Sequence, residues 1–444
     1  MTRPIFLRTV ILLLSLALQY RSNGQISNEL TDLRNFVGSI KPPIYDTALN
    51  TVTDRLGENI HYLYPLYQLL GSENKFRQKL TDGVYYDLLS QQLASTGDYS
   101  DALFYDHHVD TARVSEVENR QINKSIQVLK NIRNVDARRF IGFIAPNYRV
   151  IMLNEAYNKP LHRAFATSLL GDLYKRGFRY LAMEMLNPHA GADLDKLTYK
   201  TGQLTAEPVA GEMVRMALDM GFRLIAYDDP DAMIHTPRER DSIQAKNIYR
   251  IIQEDSLARI FVYAGYGHIA EKSTSSDFTP MGMMFKKISG IDPLTIDQTD
   301  MSEGSNFSYG KAFYEAYLQR YPVSSPSIAL SDEEPVNVTG SDLYDLTVIH
   351  PKTEYRDSRP TWLALENRRQ PVYIKPSGKN SFFVQAYYQL ESFHATPGQV
   401  IPADQTFLRS AKGNYLLYLR RGQYILIFRD MDYKTLYTRH IEVN

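Results

Sequence analysis

The chain has 444 residues, no cysteine, and 50 basic residues balanced by 50 acidic ones. A net charge of zero gives no bulk attraction to nucleic acid or to an anionic membrane. The absence of thiols excludes a disulfide framework, a cysteine nucleophile, thiolate metal sites and a lipidated cysteine. The length exceeds one ordinary core and predicts two or three domains.

At the N-terminus, Arg3 and Arg8 precede an apolar run from Val10 to Leu18 and a polar stretch from Gln19 to Gln25. This is the layout of a secretory signal, with cleavage expected between Ser22 and Ile26. The run falls short of the about 20 residues that a membrane span needs. An exported chain is expected, periplasmic or extracellular and bacterial, with no stable span after cleavage; an uncleaved anchor is the rival reading. Sequons at Asn123, Asn306 and Asn337 carry little weight.

Residues 26–140 read as helical. Ile60, Leu63, Leu66, Tyr67, Leu69 and Leu70 sit at helical spacing and Gly71 closes the run; Tyr85 to Leu93 and the segment from Gly97 continue the pattern. His107 and His108 beside Asp106 and Asp110 read as a solvated loop rather than a metal site, because adjacent imidazoles rarely converge on one ion. A helix from Val114 to Ile132 leads towards the first strand.

From there strands and helices alternate. Strands are expected at Arg149–Leu153, Tyr180–Met185, Arg223–Tyr227, Arg259–Ala264, Leu294–Ile296 and Leu346–Ile349. Helices between them start at Pro160, Glu207, Pro237, Met281 and Tyr309. This pattern predicts an α/β domain over 141–369, a mostly parallel sheet with helices on both faces. After Gln370, short β segments separated by turns at Pro397–Gly398, Gly413–Asn414 and Arg421–Gly422 predict a small antiparallel sandwich over 370–444.

The strand ends point to a site. Glu155, Glu184, Asp228–Asp229 and the loop AGYGH ending at His268 follow four successive strands. In a parallel sheet those ends face one crevice. If the first two strands are neighbours, Glu155 and Glu184 form a carboxylate pair in which repulsion raises one pKa towards a useful base or acid. His162, in the first turn of its helix, is expected to stay neutral there. Gly265 and Gly267 let the backbone turn and aim His268 inwards. The two His and two Glu side chains could also hold a metal, but no compact metal motif is present and none is expected. Arg240, Gln244 and Asn247 share one helical face, either solvated or clamping a polar substrate.

The segments LNEAYNKPLHRAF, LAMEML, RDSIQAKN and YAGYGHI, in this order and spacing, resemble the erythromycin esterase-like and ChaN-like superfamily, relatives of the TraB/TIKI proteins. Members typically show Gly-Glu-x-x-His or Gly-Glu-x-His after the first strand and a Glu after the second. An Arg-Asp…Ala-x-Asn helix and a late Gly-x-x-His or Asn-x-His follow. The match covers Arg149 to Gln298, with HPKT and RPTW between His350 and Trp362 as a weaker continuation. It leaves out the N-terminal helices and the C-terminal sandwich. Glu155, Glu184, Arg240, Asp241, Ala245, Asn247 and His268 fall on the family's motif positions, and Pro160 and His162 fit the ChaN-like form. Asn154 stands where the family has Gly, and Tyr157 or Asn158 where the first-motif His belongs.

The resemblance implies metal-independent hydrolysis of an ester-type bond in a small molecule, with no cofactor. Glu155 or Glu184 would take a proton from water and His268 would serve as acid or base. His162 either replaces the missing His or, with Tyr157, Asn158, Asp228, Arg240 and Asn247, positions substrate. A second expectation is a ChaN-like haem-binding protein with Tyr157 as iron ligand, or a non-catalytic descendant. A third is a cell-surface interaction protein with a vestigial crevice.

Overall fold

The computed structural model describes residues 60–79, 81–106, 114–273, 278–304, 310–377, 380–394, 398–409 and 413–444. The expected signal segment, His107, His108 and the Asn306 sequon lie outside the described residues.

Among the described residues four short helices come first: α1 (Leu63–Gly71), α2 (Glu73–Lys79), α3 (Asp82–Ser95) and α4 (Tyr99–Asp106). Helix α5 (Glu116–Val128) follows, then an edge strand, β1 (Ile132–Asp136), and α6 (Ala137–Ile144). The alternation then runs β2 (Val150–Glu155), α7 (Pro160–Lys175), β3 (Tyr180–Met183), α8 (Pro208–Met220) and β4 (Arg223–Ala226). It continues with α9 (Pro237–Glu254), β5 (Ile260–Gly265), α10 (Met281–Ser289) and β6 (Leu294–Asp297). Helix α11 (Gly310–Arg320) and strands β7 (Ser327–Ser331), β8 (Glu334–Pro335) and β9 (Leu346–Ile349) complete it.

The sheet has the order β1-β7-β9-β6-β2-β5-β3-β4, with β8 on β7. From β9 to β4 every pairing is parallel, whereas β7 runs antiparallel to both β1 and β9. The mixed, mostly parallel α/β sheet read from the sequence is therefore present. Three strands were missing from that reading: β1, β7 and the two-residue β8. The helix expected to reach Ile132 ends at Val128, and Ile132–Asp136 pairs with Ser327–Ser331. Neither IRNVD nor SIALS has the unbroken apolar run of a central strand, and each becomes a strand through the other.

Successive residues of the central strands face opposite sides. Ile151, Leu153, Leu181 and Phe261 pack with α7 and α8, while Val150, Met152, Ala182 and Val262 pack with α9 and α10. Leu66, Leu89 and Tyr105 of the N-terminal helices belong to the same cluster as α7 and α8. The expected helical region and the α/β domain thus share one core.

After the short ribbon β10 (Tyr355–Arg356) and β11 (Arg359–Pro360), two small antiparallel sheets close the chain. Strand β12 (Gln370–Ile374) pairs with β15 (Tyr415–Leu419). Strands β13 (Phe383–Tyr388), β14 (Asp404–Phe407), β16 (Gly422–Arg429) and β17 (Thr435–Val443) take the order β14-β13-β16-β17. Ile374, Leu417, Val384, Leu426 and Phe428 form their common core. The turn expected at Arg421–Gly422 is not a hairpin: β15 and β16 lie in different sheets, and Gly422, at φ 148°, passes the chain from one to the other. Arg215 of α8 fastens the sandwich through Glu391, at 2.7 and 2.8 Å. Among the described residues no helix is long and apolar enough to cross a membrane.

Candidate functional site

Strands β2 and β5 are neighbours whose following helices lie on opposite faces, α7 with one core and α10 with the other. In a parallel sheet, such divergence of the chain at the C-terminal ends is where a ligand crevice is expected. β5 also lies between β2 and β3. This overturns the expected direct pairing of Glu155 with Glu184: the two carboxylates end non-adjacent strands and have separate partners.

Glu184, one residue beyond β3, is the centre of the crevice. Its Oε2 accepts the Gly265 N–H at 2.5 Å; its Oε1 accepts from Arg240 at 2.6 Å and from the Tyr157 hydroxyl at 3.2 Å. Arg240 also grips Asp228 through Nε at 2.9 Å and Nη2 at 2.8 Å, and Gln244 donates to the same carboxylate at 2.7 Å. Asn247 donates to Tyr227 O at 3.0 Å. The Arg240–Gln244–Asn247 face therefore looks into the end of β4 and not into solvent. Helix α9 is set for this by its capping box, in which Thr236 and Glu239 satisfy each other's backbone N–H groups.

His268 completes the cluster. Its Nδ1–H donates to Asp241 Oδ1 at 2.6 Å and its Nε2 lies 3.5 Å from Glu184 Oε1. Asp241 is fully buried and is also fixed by the Met281 N–H at 3.1 Å. Burial alone would discharge the imidazole, but Glu184 and Asp241 outweigh it and push His268 up to about 9. At neutral pH it is an imidazolium held between two carboxylates.

Glu155 has a different setting. Its Oε2 accepts from Arg163 Nε at 2.8 Å and from the Tyr263 hydroxyl at 3.2 Å, and both ionic partners are almost fully buried. Arg163 continues to Tyr157 O at 2.8 Å and to Glu207 at 3.2 Å; Tyr99 of α4 donates to the other Glu207 oxygen at 2.9 Å. Glu207 also caps α8. Burial raises the Glu155 pKa, while Arg163 and Tyr263 oppose the rise. The carboxylate holds the site's foundation together and is spoken for.

His162 is not in the crevice. It is fully buried, accepts the Ala156 N–H on Nδ1 at 3.0 Å, and has Nε2 3.3 Å from Ser302 Oγ. Burial, with His350 at 5.5 Å between ring centroids, keeps it neutral. Asn158 donates to Asp106 at 2.7 Å, also away from Glu184. Asn154, the residue in place of the family's Gly, donates to Asp297 at 2.7 Å and to Tyr266 O at 3.0 Å, knitting β2 to β6 and to the His268 loop. Tyr157 lies against Gly265, edge-on to Tyr266 at 5.1 Å, with its hydroxyl engaged by Glu184.

Sequence reasoning passed over Asp241 as a site residue, and missed Arg163, Glu207 and Tyr263. Asp241 lies about 100° around the helix from Arg240, so a search along one face skips it. Arg163 gave no signal beyond a charge in the second turn of α7.

No protein-family model matches the chain, and no curated protein matches it significantly. Among solved structures it is similar to the type III effector HopBA1, at 14% identity and a TM-score of 0.31, over 52% of this chain and 99% of that one. It is also similar to a structure described as bacterial protein toxins, at 12% identity and a TM-score of 0.29, over 53% of this chain and 47% of that one. At these scores the likenesses say nothing of activity.

Proposed function

We propose that the crevice is a hydrolytic site of the erythromycin esterase-like kind, acting on an ester-type bond of a small molecule in an exported protein. The carrying observation is His268, held by Asp241 at 2.6 Å with its other nitrogen 3.5 Å from Glu184. In this scheme substrate displaces part of the Arg240–Glu184 contact. Glu184 takes a proton from the attacking water, and Arg240 stabilises the negative charge on the carbonyl oxygen. The imidazolium of His268 gives its Nε2 proton to the departing alkoxide. An acid and an alcohol leave, and the proton on Glu184 returns to His268 across the short gap. Side chains supply base, acid and cation, so no step calls for a metal. Glu155 and His162 have no part in the transfer. The basic, apolar, polar order of the N-terminus supports export.

The test is a broad ester panel with the purified chain and with Glu184→Gln and His268→Asn. Turnover of at least one ester, falling by about a hundredfold or more in both variants, is expected. No turnover across the panel, or a full rate in Glu184→Gln, defeats the reading. Because every Glu184 oxygen is engaged at rest, a ligand-binding crevice without turnover is the second reading. A compound that raises the melting temperature without being consumed would favour it.

A further inference from the structure

A net charge of zero conceals an uneven distribution. Four neighbouring strands are entered through arginine: Arg149 before β2, Arg259 before β5, Arg179 before β3 and Arg223 opening β4. These stand at the N-terminal edge of the sheet, opposite the crevice. Part of their role is internal. Arg259 donates to Arg176 O at 2.8 Å and Tyr148 O at 3.0 Å, Arg149 to Ser256 O at 2.7 Å, and Arg179 to Tyr174 O at 2.6 Å. The loops of this edge are thereby tied into one platform, with helix-end carbonyls satisfied by cations.

The platform carries more positive charge than that task requires. Arg139, Lys175 and Arg176 are exposed and, among the described residues, have no ion-pair partner. With Phe143, Gly142 and Asp172 they line a concavity of ≈ 420 Å³. Two carboxylates of the edge have cations of their own: Asp172 faces Arg138 at 3.7 Å and Asp219 is held by Arg420 at 2.9 Å, whereas Asp255, which accepts from the Tyr180 hydroxyl at 2.9 Å, keeps its charge. Glu254 is left against the cations. Two large apolar side chains stand out of the same edge, Phe143 at 77% exposure and Leu257 at 87%. Leu257 follows Ser256, the residue that Arg149 grips.

Exposed hydrocarbon among unneutralised cations is the combination that holds peripheral proteins to anionic bilayers. The cations meet headgroup phosphates, and the apolar side chains enter the acyl boundary. We propose that this edge docks on a bilayer rich in anionic phospholipid, with headgroup phosphate in the Arg139–Lys175–Arg176 concavity and Phe143 and Leu257 inserted. A nucleic acid would also be drawn to the cations, but its phosphate and sugar surface offers an exposed leucine nothing in return. Docked this way, the crevice at the opposite edge faces away from the membrane and remains open to soluble substrates. The inference does not depend on the hydrolytic reading.

The experiment is co-sedimentation of the full chain with vesicles of phosphatidylcholine alone and of equimolar phosphatidylcholine and phosphatidylglycerol. The apolar run Val10–Leu18 is common to every variant, so the readout is the gain that phosphatidylglycerol brings. That gain is expected in the wild type and should shrink with salt. At about 1 kcal/mol, or fivefold, per cation, the triple variant Arg139→Gln, Lys175→Gln, Arg176→Gln should lose about a hundredfold in partition. Phe143→Ser with Leu257→Ser should weaken the binding that survives high salt. All five positions are exposed, and circular dichroism melting checks that each variant folds. A wild type with no preference for phosphatidylglycerol, or a triple variant that partitions like it, overturns the proposal. So does duplex DNA binding that the triple variant loses and Leu257→Ser leaves intact, which would assign the edge to nucleic acid.

Discussion

A Cβ on Gly265 would stand 2.0 Å from the Tyr157 hydroxyl oxygen and 2.4 Å from its Cζ. The missing side chain is what lets the phenol lie across the end of β5 and reach Glu184, while the Gly265 N–H holds the same carboxylate from below. Gly265→Ala should therefore destabilise the fold by about 1–3 kcal/mol through overpacking, read from urea midpoints. Tyr157→Phe should not rescue it, because the ring carbons at 2.4 and 2.6 Å remain. Tyr157→Ala should. The same loss in all three backgrounds would show that the clash is absent.

Activity should fail on the alkaline side where His268 loses its proton. With the imidazolium pushed up to about 9 by Glu184 and Asp241, kcat/KM should hold through neutral pH and fall near that value. Asp241→Asn removes one of the anions that sustain the charge, so the limb should move to lower pH. A limb that stays in place would separate His268 from the proton transfer.

His350 makes the opposite contribution to stability. Burial depresses it to about 3, against about 6.5 in the unfolded chain. The unfolded state then takes up the proton first as pH falls. Stability from this residue is fully present above about 6.5, declines as pH falls towards 3, and changes no further below that. His162, depressed by the same burial, adds to the slope. Chemical denaturation between pH 7 and 4 should show a decline that His350→Gln makes shallower. An unchanged slope in that variant would exclude His350 as its source.

Arg163→Met should be among the most damaging single changes in the chain. It leaves Glu155 and Glu207 buried without their cation, for which a loss of about 3–5 kcal/mol is expected. Adding Glu155→Gln removes one stranded charge and should restore part of the loss. A double variant no better than the single one would place the damage in packing. Because Glu207 also caps α8 and receives Tyr99 from α4, Tyr99→Phe should cost less, about 1 kcal/mol.

Apolar runs such as Val150–Leu153 and Ile260–Ala264 marked the central strands, since only a strand covered on both faces has no polar alternation to show. β1 and β7 were not legible, because each is five residues long without a long apolar run, and their pairing spans nearly two hundred residues. The edge of the sheet on which Glu184, Asp228 and His268 collect was also legible, because in a parallel sheet every strand ends on the same side.

Which of those residues meet was decided by the tertiary structure. Strand β5, distant in sequence, inserts between β2 and β3, and that one choice of order separates Glu155 from Glu184. Glu155 then falls to Arg163, and Glu184 is free to meet Arg240 and His268. His162 illustrates the same limit: its place in the first turn of α7 was visible, but its burial beside His350 comes from β9, far along the chain. The sequence by itself determined the local alternation and the polar strand ends, because both follow from nearest neighbours along the backbone. Strand order is set by how helices and loops pack across the whole sheet, so the partners of each carboxylate existed only once the sheet was assembled.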